Sequence, residues 1–200
     1  MNNFLTGDIA EAQIYNASLT DTDRLGVERA LKCKYGISGG ATLAAPTGLT
    51  GVAGNRKIFL NWALSSGATG YNLSRSTNAG ATYELVATNL AGSSYVDASA
   101  ANGLMNYYRV AANDACGAGA NSGSVGVFLP LPALGMVASE NALTLSWPGW
   151  ASDWTLFSTT NLAPPVVWTA VPDVVSSNNG QFDVSIPIDS DTRFFRLIAP

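Results

Sequence analysis

The sequence predicts a mainly β protein: tandem antiparallel β-sandwiches with one short helix near the N-terminus. Three observations carry this. Short runs alternate apolar and polar residues with a period of two. Clusters of Gly, Ser and Asn separate those runs at regular spacing. The last third of the chain also repeats the middle third in the same order.

Read from the start, Gly7 to Tyr15 is predicted as a strand, with Ile9, Ala12, Ile14 and Tyr15 apolar. Thr20 then caps a helix, with Asp23 three residues on at capping-box spacing. Asp21 and Asp23 favour the N-terminal end of the helix dipole, and Lys32 and Lys34 the C-terminal end. Val27, Ala30, Leu31 and Tyr35 recur at helical spacing and define one apolar face, and Gly36 is the stop. One strand and one helix cannot bury a core, so this unit must pack on something. The first sandwich is the predicted partner.

The run Gly39-Gly40-Ala41-Thr42-Leu43-Ala44 ahead of Ala45-Pro46 reads as a linker. Strands follow. Ile58, Leu60 and Trp62 alternate with Lys57, Phe59 and Asn61, and Tyr71, Leu73 and Arg75 make the next strand. Tyr83 to Ala87, Ser94 to Asp97, Met105 to Ala112 and Gly123 to Phe128 complete the middle third, with Gly117-Ala118-Gly119 read as a turn. Then the pattern returns. Leu143, Leu145 and Trp147 echo Ile58, Leu60 and Trp62, and Trp154 and Leu156 echo Tyr71 and Leu73. Thr159-Thr160-Asn161 echoes Ser76-Thr77-Asn78, and Trp168 and Val171 echo Tyr83 and Val86. Phe194-Phe195-Arg196-Leu197 echoes Tyr107-Tyr108-Arg109-Val110. The second copy has no counterpart of Gly123 to Phe128, so its sheet is expected to keep an open edge.

Residues 45–129 resemble a fibronectin type III domain through Pro46, Leu49, Trp62, Tyr71, Leu73 and the strand Tyr108-Arg109-Val110-Ala111-Ala112 with Gly117 to Ser122 after it. The resemblance implies an immunoglobulin-like seven-stranded sandwich with that tryptophan in its core. The family's corner tyrosine falls on Asn106 here. Residues 130–200 look like a shortened, divergent relative. Residues 4–37 resemble the closing strand and C-terminal helix of a concanavalin A-like (laminin G-like) domain. The carriers are Gly7-Asp8-Ile9-Ala10-Glu11, Ile14-Tyr15-Asn16, Leu19-Thr20-Asp21 and Lys34-Tyr35-Gly36-Ile37. The organisation read from sequence is therefore 1–38 tail of such a domain, 39–44 linker, 45–129 fibronectin type III domain and 130–200 shortened copy. The body of the first domain would lie upstream of Met1, which the resemblance makes an internal position rather than the natural start.

Composition limits the chemistry. Charged residues make up 12% of the 200, and the net charge is −4. Residues 45–129 hold four Lys/Arg and three Asp/Glu, whereas residues 130–200 hold two and six. No basic face is available for nucleic acid or anionic lipid. No histidine is present, which excludes histidine triads, histidine zinc sites and histidine general bases. No run is long enough to span a membrane, and the first residues lack the pattern of a signal peptide. The low charge and abundance of small polar residues nonetheless suit an extracellular or cell-surface protein, and the arrangement of domains resembles that of large bacterial extracellular proteins.

The candidate chemistry is sparse. A glycosidase needs two facing carboxylates. Asp8 and Glu11 fall on opposite faces of the predicted strand, and Asp189 and Asp191 sit in a turn, so neither pair is assigned catalysis or a metal. Cys33 and Cys116 either pair, stapling the helix to the sandwich, or remain separate thiols, and the reading favours separate thiols. Aromatic side chains serve carbohydrate binding as flat stacking platforms. Trp62, Trp147 and Trp154 take core positions. Trp168 follows Pro164-Pro165, and Trp150, in the turn Pro148-Gly149-Trp150-Ala151-Ser152, is the one candidate ligand contact. Asn16-Ala17-Ser18 and Asn72-Leu73-Ser74 match the glycosylation pattern, which a bacterial source would leave unmodified. The expected function is a non-catalytic segment of a secreted multidomain protein, a spacer or accessory unit beside a carbohydrate-binding or catalytic domain. The alternative is direct binding of polysaccharide or a surface protein, and the third reading is a glycoside-acting enzyme. No cofactor is expected, and neighbouring domains of the parent chain are expected partners.

Overall fold

Alternating side chains turn each short segment into a strand with one wet and one dry face, and two such sheets close on each other to dry both inner faces. The computed structural model describes residues 11–35, 43–173, 175–188 and 192–199. It is mainly antiparallel β-sheet with one helix among the described residues, as the sequence predicts.

The helix, α1 (Asp21–Lys34), begins as expected: the Asp23 backbone N–H donates to Thr20 Oγ1 at 3.2 Å. The segment before it differs. Residues 11–15 form no strand, and Ile14 is 96% exposed; the remainder of the predicted strand lies outside the described residues. A strand exists only through its ladder, and no described strand pairs there. Glu11 is instead tied to the end of α1, accepting from Lys34 Nζ and from the Tyr35 hydroxyl, each at 2.7 Å.

The first sandwich packs a three-stranded sheet on a larger one. The smaller has the order β1 (Thr50–Ala53), β2 (Ile58–Asn61), β5 (Ser94–Asp97). The larger has the order β4 (Glu84–Leu90), β3 (Gly70–Ser76), β6 (Met105–Asp114), β7 (Gly117–Asn121), with β8 (Val125–Phe128) also pairing with β6. Ile58, Leu60, Trp62, Tyr71, Leu73, Tyr108 and Val110 fill the core. Leu43 joins them, and its backbone lies so close to Gly119 that a Cβ there would meet the Leu43 carbonyl oxygen at 2.6 Å. Gly117-Ala118-Gly119, read from sequence as a turn, belongs to the strand β7. Gly and Ala carry no alternation to read, and β7 takes its place by pairing with β6.

The second sandwich repeats this plan on its own core of Leu145, Trp147, Leu156, Val184 and Ile186. One sheet has the order β13 (Ser176–Asn178), β14 (Gln181–Pro187), β10 (Ala142–Pro148), β9 (Gly135–Ala138). The other has the order β12 (Thr169–Ala170), β11 (Thr155–Thr159), β15 (Phe194–Ile198). The internal repeat is exact in ladder register: Leu73 sits opposite Val110 and Ser76 opposite Tyr107, while Leu156 sits opposite Leu197 and Thr159 opposite Phe194. The turn that follows is repeated too. The Asn78 backbone N–H donates to Ser76 Oγ, and the Asn161 backbone N–H to Thr159 Oγ1, both at 3.3 Å. A cation–π contact also recurs: Arg109 lies 4.1 Å from the Tyr83 ring, and Arg196 lies 4.1 Å from the Trp168 ring.

One difference between the copies is chemical. In the first, Asp97 is 1% exposed and sits between the sheets. It accepts from Tyr108 Oη (2.8 Å), Arg75 (2.7 Å) and both the backbone N–H and the hydroxyl of Ser99 (2.9 and 2.7 Å). Burial works to raise its pKa, but these hydrogen bonds outweigh burial and hold the carboxyl below its ordinary value. Burial, and then the adjacent carboxylate, pushes the Tyr108 phenol well up. In the second copy the matching positions are Ile186, Phe195 and Ser158. The acid and the phenol give way to apolar side chains, and the arginine to an uncharged serine. Asn106, at the corner position, is fully buried and donates to the Ala101 and Leu104 carbonyls, both at 3.1 Å, so an amide closes this bend.

The cysteines are paired, against the separate thiols favoured by the sequence reading: Cys33 and Cys116 form a disulfide with Cα atoms 5.3 Å apart. Their separation of 83 residues hides the proximity from sequence inspection. Beside the bond, Arg29 Nε donates to Asp114 at 2.5 Å, with both side chains largely covered. The arginine's hydrogen bond lowers the Asp114 pKa despite its partial burial. The helix thus docks on the first sandwich as expected, tied there by Arg29 and Cys33.

Replacing Asp97 by Ile alone should cost about 3–5 kcal/mol, because Arg75 and Tyr108 lose a buried partner. The triple change Arg75→Ser, Asp97→Ile, Tyr108→Phe should recover most of that loss in urea denaturation. Because the Asp97 pKa is depressed on folding, its contribution is present above the ordinary carboxylate range and is lost as pH falls through the folded value. Wild type should therefore lose stability in acid more steeply than the triple variant. Reduction of the disulfide should expose residues 11–35 to trypsin, whereas the oxidised protein should keep them; equal trimming of both forms would show that the bond does not hold the helix.

Candidate functional site

The loop from Pro148 to Trp154 is where the two sandwiches meet. It leaves β10 through a tight turn, closed by the Ala151 backbone N–H donating to the Pro148 carbonyl at 3.0 Å. Gly149 must be glycine: its N–H donates to the Gly180 carbonyl at 2.7 Å, and a Cβ would strike that oxygen at 2.7 Å. The loop is thereby fastened to the turn between β13 and β14. Trp150 rides on it and is 40% exposed. It is available for stacking, though the fold alone assigns it no ligand.

Asp153, three residues on, reaches the first sandwich. It accepts from Asn55 Nδ2 and, at 3.1 Å, from an Arg56 guanidinium nitrogen, both in the turn between β1 and β2. Partial burial works to raise the Asp153 pKa, but these hydrogen bonds win and lower it. Arg56 has φ +53°, a left-handed conformation that aims this turn. Sequence reasoning missed the junction because neither partner sits in a motif.

Hollows open on the surface among the described residues. One, of about 340 Å³, opens at the end of the second core between Trp147, Trp154, Val171, Val175 and Phe182. The Trp154 indole N–H is buried there with no acceptor among the described residues. In the first sandwich Tyr71 takes that position, and its hydroxyl accepts from the Ser65 backbone N–H at 2.7 Å. A second hollow, of about 420 Å³, is mixed, lined by Ser158, Thr159, Asn161 and Arg193 and by Pro165 and Val167. A third, of about 460 Å³, runs under α1 between Leu25, Ala30, Leu43 and Gly67.

The other sequence candidates resolve simply. Trp62 and Trp147 are buried in their cores, and Trp168 is covered by Arg196. Glu11 is held at about 2 by its hydrogen bonds from Lys34, Gln13 and Tyr35, so it is an ion-pair partner of the helix end. Asp8, Asp189 and Asp191 lie outside the described residues. Among the described residues no group of three or more His, Cys, Asp or Glu side chains could hold a metal ion. No helix among them is long and apolar enough to cross a membrane.

Asp153→Ala should loosen the junction while leaving both cores intact. Small-angle scattering should show a broader distribution of distances than wild type with an unchanged Tm; identical scattering curves would mean that the contact does not set the angle between sandwiches.

No family model matches the chain. Among curated proteins it is 40% identical over 72 residues to an amylopullulanase from Thermoanaerobacterium saccharolyticum, covering 36% of this chain and 6% of that enzyme. It is 36% identical over 95 residues to an amylopullulanase from Thermoanaerobacterium thermosulfurigenes, covering 48% of this chain and 5% of that enzyme. The chain thus spans about one twentieth of the length of the curated relatives it matches. Among solved structures, a Fn3-like protein from Clostridium thermocellum is 33% identical, with a TM-score of 0.43, over 46% of this chain and 97% of that one. Over the length of one sandwich, this chain is similar in sequence to that Fn3-like protein.

Proposed function

We propose that the chain is a non-catalytic segment of a multidomain, extracellular, polysaccharide-acting protein, in which the two sandwiches serve as spacer or accessory modules. The observation that carries this is the 36–41% identity to short stretches of enzymes named amylopullulanases. A segment that occupies so small a share of such enzymes is suited to spacing or support rather than to the reaction. The physical build agrees. A disulfide and a covered ion pair fix the helix to the first sandwich, and Asp153 bridges the first sandwich to the second. Such a chain transmits position, which is what a spacer does. In this reading residues 1–38 are the tail of a concanavalin A-like domain, 39–44 a linker, 45–129 the fibronectin type III domain and 130–200 its shortened copy. The paired cysteines favour the oxidising compartment outside the cell.

A second reading, direct binding of polysaccharide, is favoured by Trp150, an exposed ring on a loop anchored at both ends. Electrophoresis in native gels containing pullulan or soluble starch separates the two. The spacer reading expects wild type and Trp150→Ala to migrate as they do without glycan, with no sugar released. Retardation of wild type that Trp150→Ala abolishes would establish binding in its place.

A further inference from the structure

We propose that Asn179-Gly180 is a self-modifying site: the asparagine loses its amide to the backbone nitrogen that follows, and the isoaspartate that results releases the loop carrying Trp150 from its anchor. The inference goes beyond the spacer reading and calls for no ligand or partner.

Asn179 and Gly180 are the central pair of the hairpin turn between β13 and β14, closed by Asn178 opposite Gln181. Both are left-handed, at φ +48° and +76°, the conformation that selects Asn-Gly in two-residue hairpins. Three features leave the pair open to attack by its own backbone. Gly180 has no Cβ to shield its nitrogen. Its backbone N–H has no acceptor among the described residues, and both residues are exposed. β13 is an edge strand of three exposed residues, so the turn opens without disturbing the core and the Asn179 carboxamide reaches the Gly180 nitrogen. The other Asn-Gly pair of the chain, Asn102-Gly103, is built the opposite way. The Gly103 backbone N–H is held by the Leu129 carbonyl at 2.7 Å, and Asn102 Oδ1 is buried.

The chemistry needs only water. The Gly180 nitrogen bonds to Asn179 Cγ, its proton leaves with the side-chain nitrogen as ammonia, and a succinimide ring closes. Water then opens the ring at either carbonyl. Opening at Cγ gives aspartate. Opening at the backbone carbonyl gives isoaspartate, in which the main chain runs through Cγ and is longer by a methylene. That methylene falls where the structure has no room. Gly180 continues the β10–β14 ladder past the pair Pro148 and Gln181, and its carbonyl accepts from the Gly149 backbone N–H at 2.7 Å. Even a Cβ on Gly149 would meet the Gly180 carbonyl carbon at 2.9 Å. A lengthened turn carries the Gly180 carbonyl out of this register and cuts the tie. The loop from Pro148 to Trp154 then keeps its hold on the first sandwich through Asp153 and loses its fastening to the β13–β14 turn.

The test ages the oxidised full chain in warm, mildly alkaline buffer and maps isoaspartate by peptide mass spectrometry and enzymatic methylation. Asn179 should convert at roughly ten times the rate of Asn102. In the modified fraction the Gly149 amide should exchange with solvent roughly tenfold faster by NMR, while the amides of Leu145 and Val184 in the second core stay protected. Asn179→Gly keeps the left-handed turn and removes the carboxamide, so it should age with Gly149 exchange unchanged. Fresh Asn179→Asp adds the charge without lengthening the chain, so it should also keep the Gly149 amide protected. Conversion of Asn179 no faster than that of Asn102 would overturn the site. Conversion that leaves Gly149 exchange unaltered, or a fresh Asn179→Asp chain whose Gly149 amide exchanges as fast as in the aged protein, would overturn release by backbone lengthening.

Discussion

The carboxylate of Asp97 sits where two sheets must be joined, and the first sandwich is organised around satisfying it. An ion taken from water costs several kcal/mol unless every lone pair is met. Here the donors come from three directions: Arg75 on β3, Tyr108 on β6 and Ser99 in the bend after β5. The first two belong to one sheet and Asp97 to the other, so meeting the charge also fixes how the sheets lie. The second sandwich shows that the fold does not require this solution. Ile186, Phe195 and Ser158 occupy the same ladder positions and dispense with the ion altogether. Either complete set works, and a mixture of the two would leave a donor or a charge stranded.

How much of this the sequence displayed follows from the range of each interaction. Strand alternation is local, so β2, β3, β6 and β10 were legible from Ile58-Phe59-Leu60 and its echoes. The repeat was legible because both copies keep their large side chains in order, and the structure carries it down to the Ser76 and Thr159 turns. β7 was not legible, because Gly-Ala-Gly-Ala has no side-chain alternation to show. The disulfide was not legible either: two cysteines 83 residues apart reveal nothing about distance until the helix is docked. The Asp153 contact with Asn55 and Arg56 joins two loops, and loops carry little pattern. Asp97 did offer a signal, a lone acid closing an otherwise uncharged strand, with its arginine and tyrosine partners in strands of the facing sheet.

The loop between β10 and β11 gathers the features that bear on function. Gly149 fastens it, Asp153 joins the sandwiches, Trp154 closes the aromatic hollow and Trp150 faces solvent. A ring displayed at a junction is oriented by two bodies instead of one. This links Trp150 to the geometry of the pair, so an account of the tryptophan and an account of the spacing concern the same seven residues.

The bond between Cys33 and Cys116 also decides how the molecule carries load. A pull applied upstream of α1 and resisted by the second sandwich enters the first sandwich at Cys33 and crosses directly to Cys116. Strands β1 to β6 lie inside the covalent loop so formed and are bypassed. Tension reaches the backbone again only in β7 and β8, the last strands before the second sandwich. Most of the first sandwich is thereby removed from the line of force, and the extensible length of the tether shrinks by the 83 residues that the crosslink encloses.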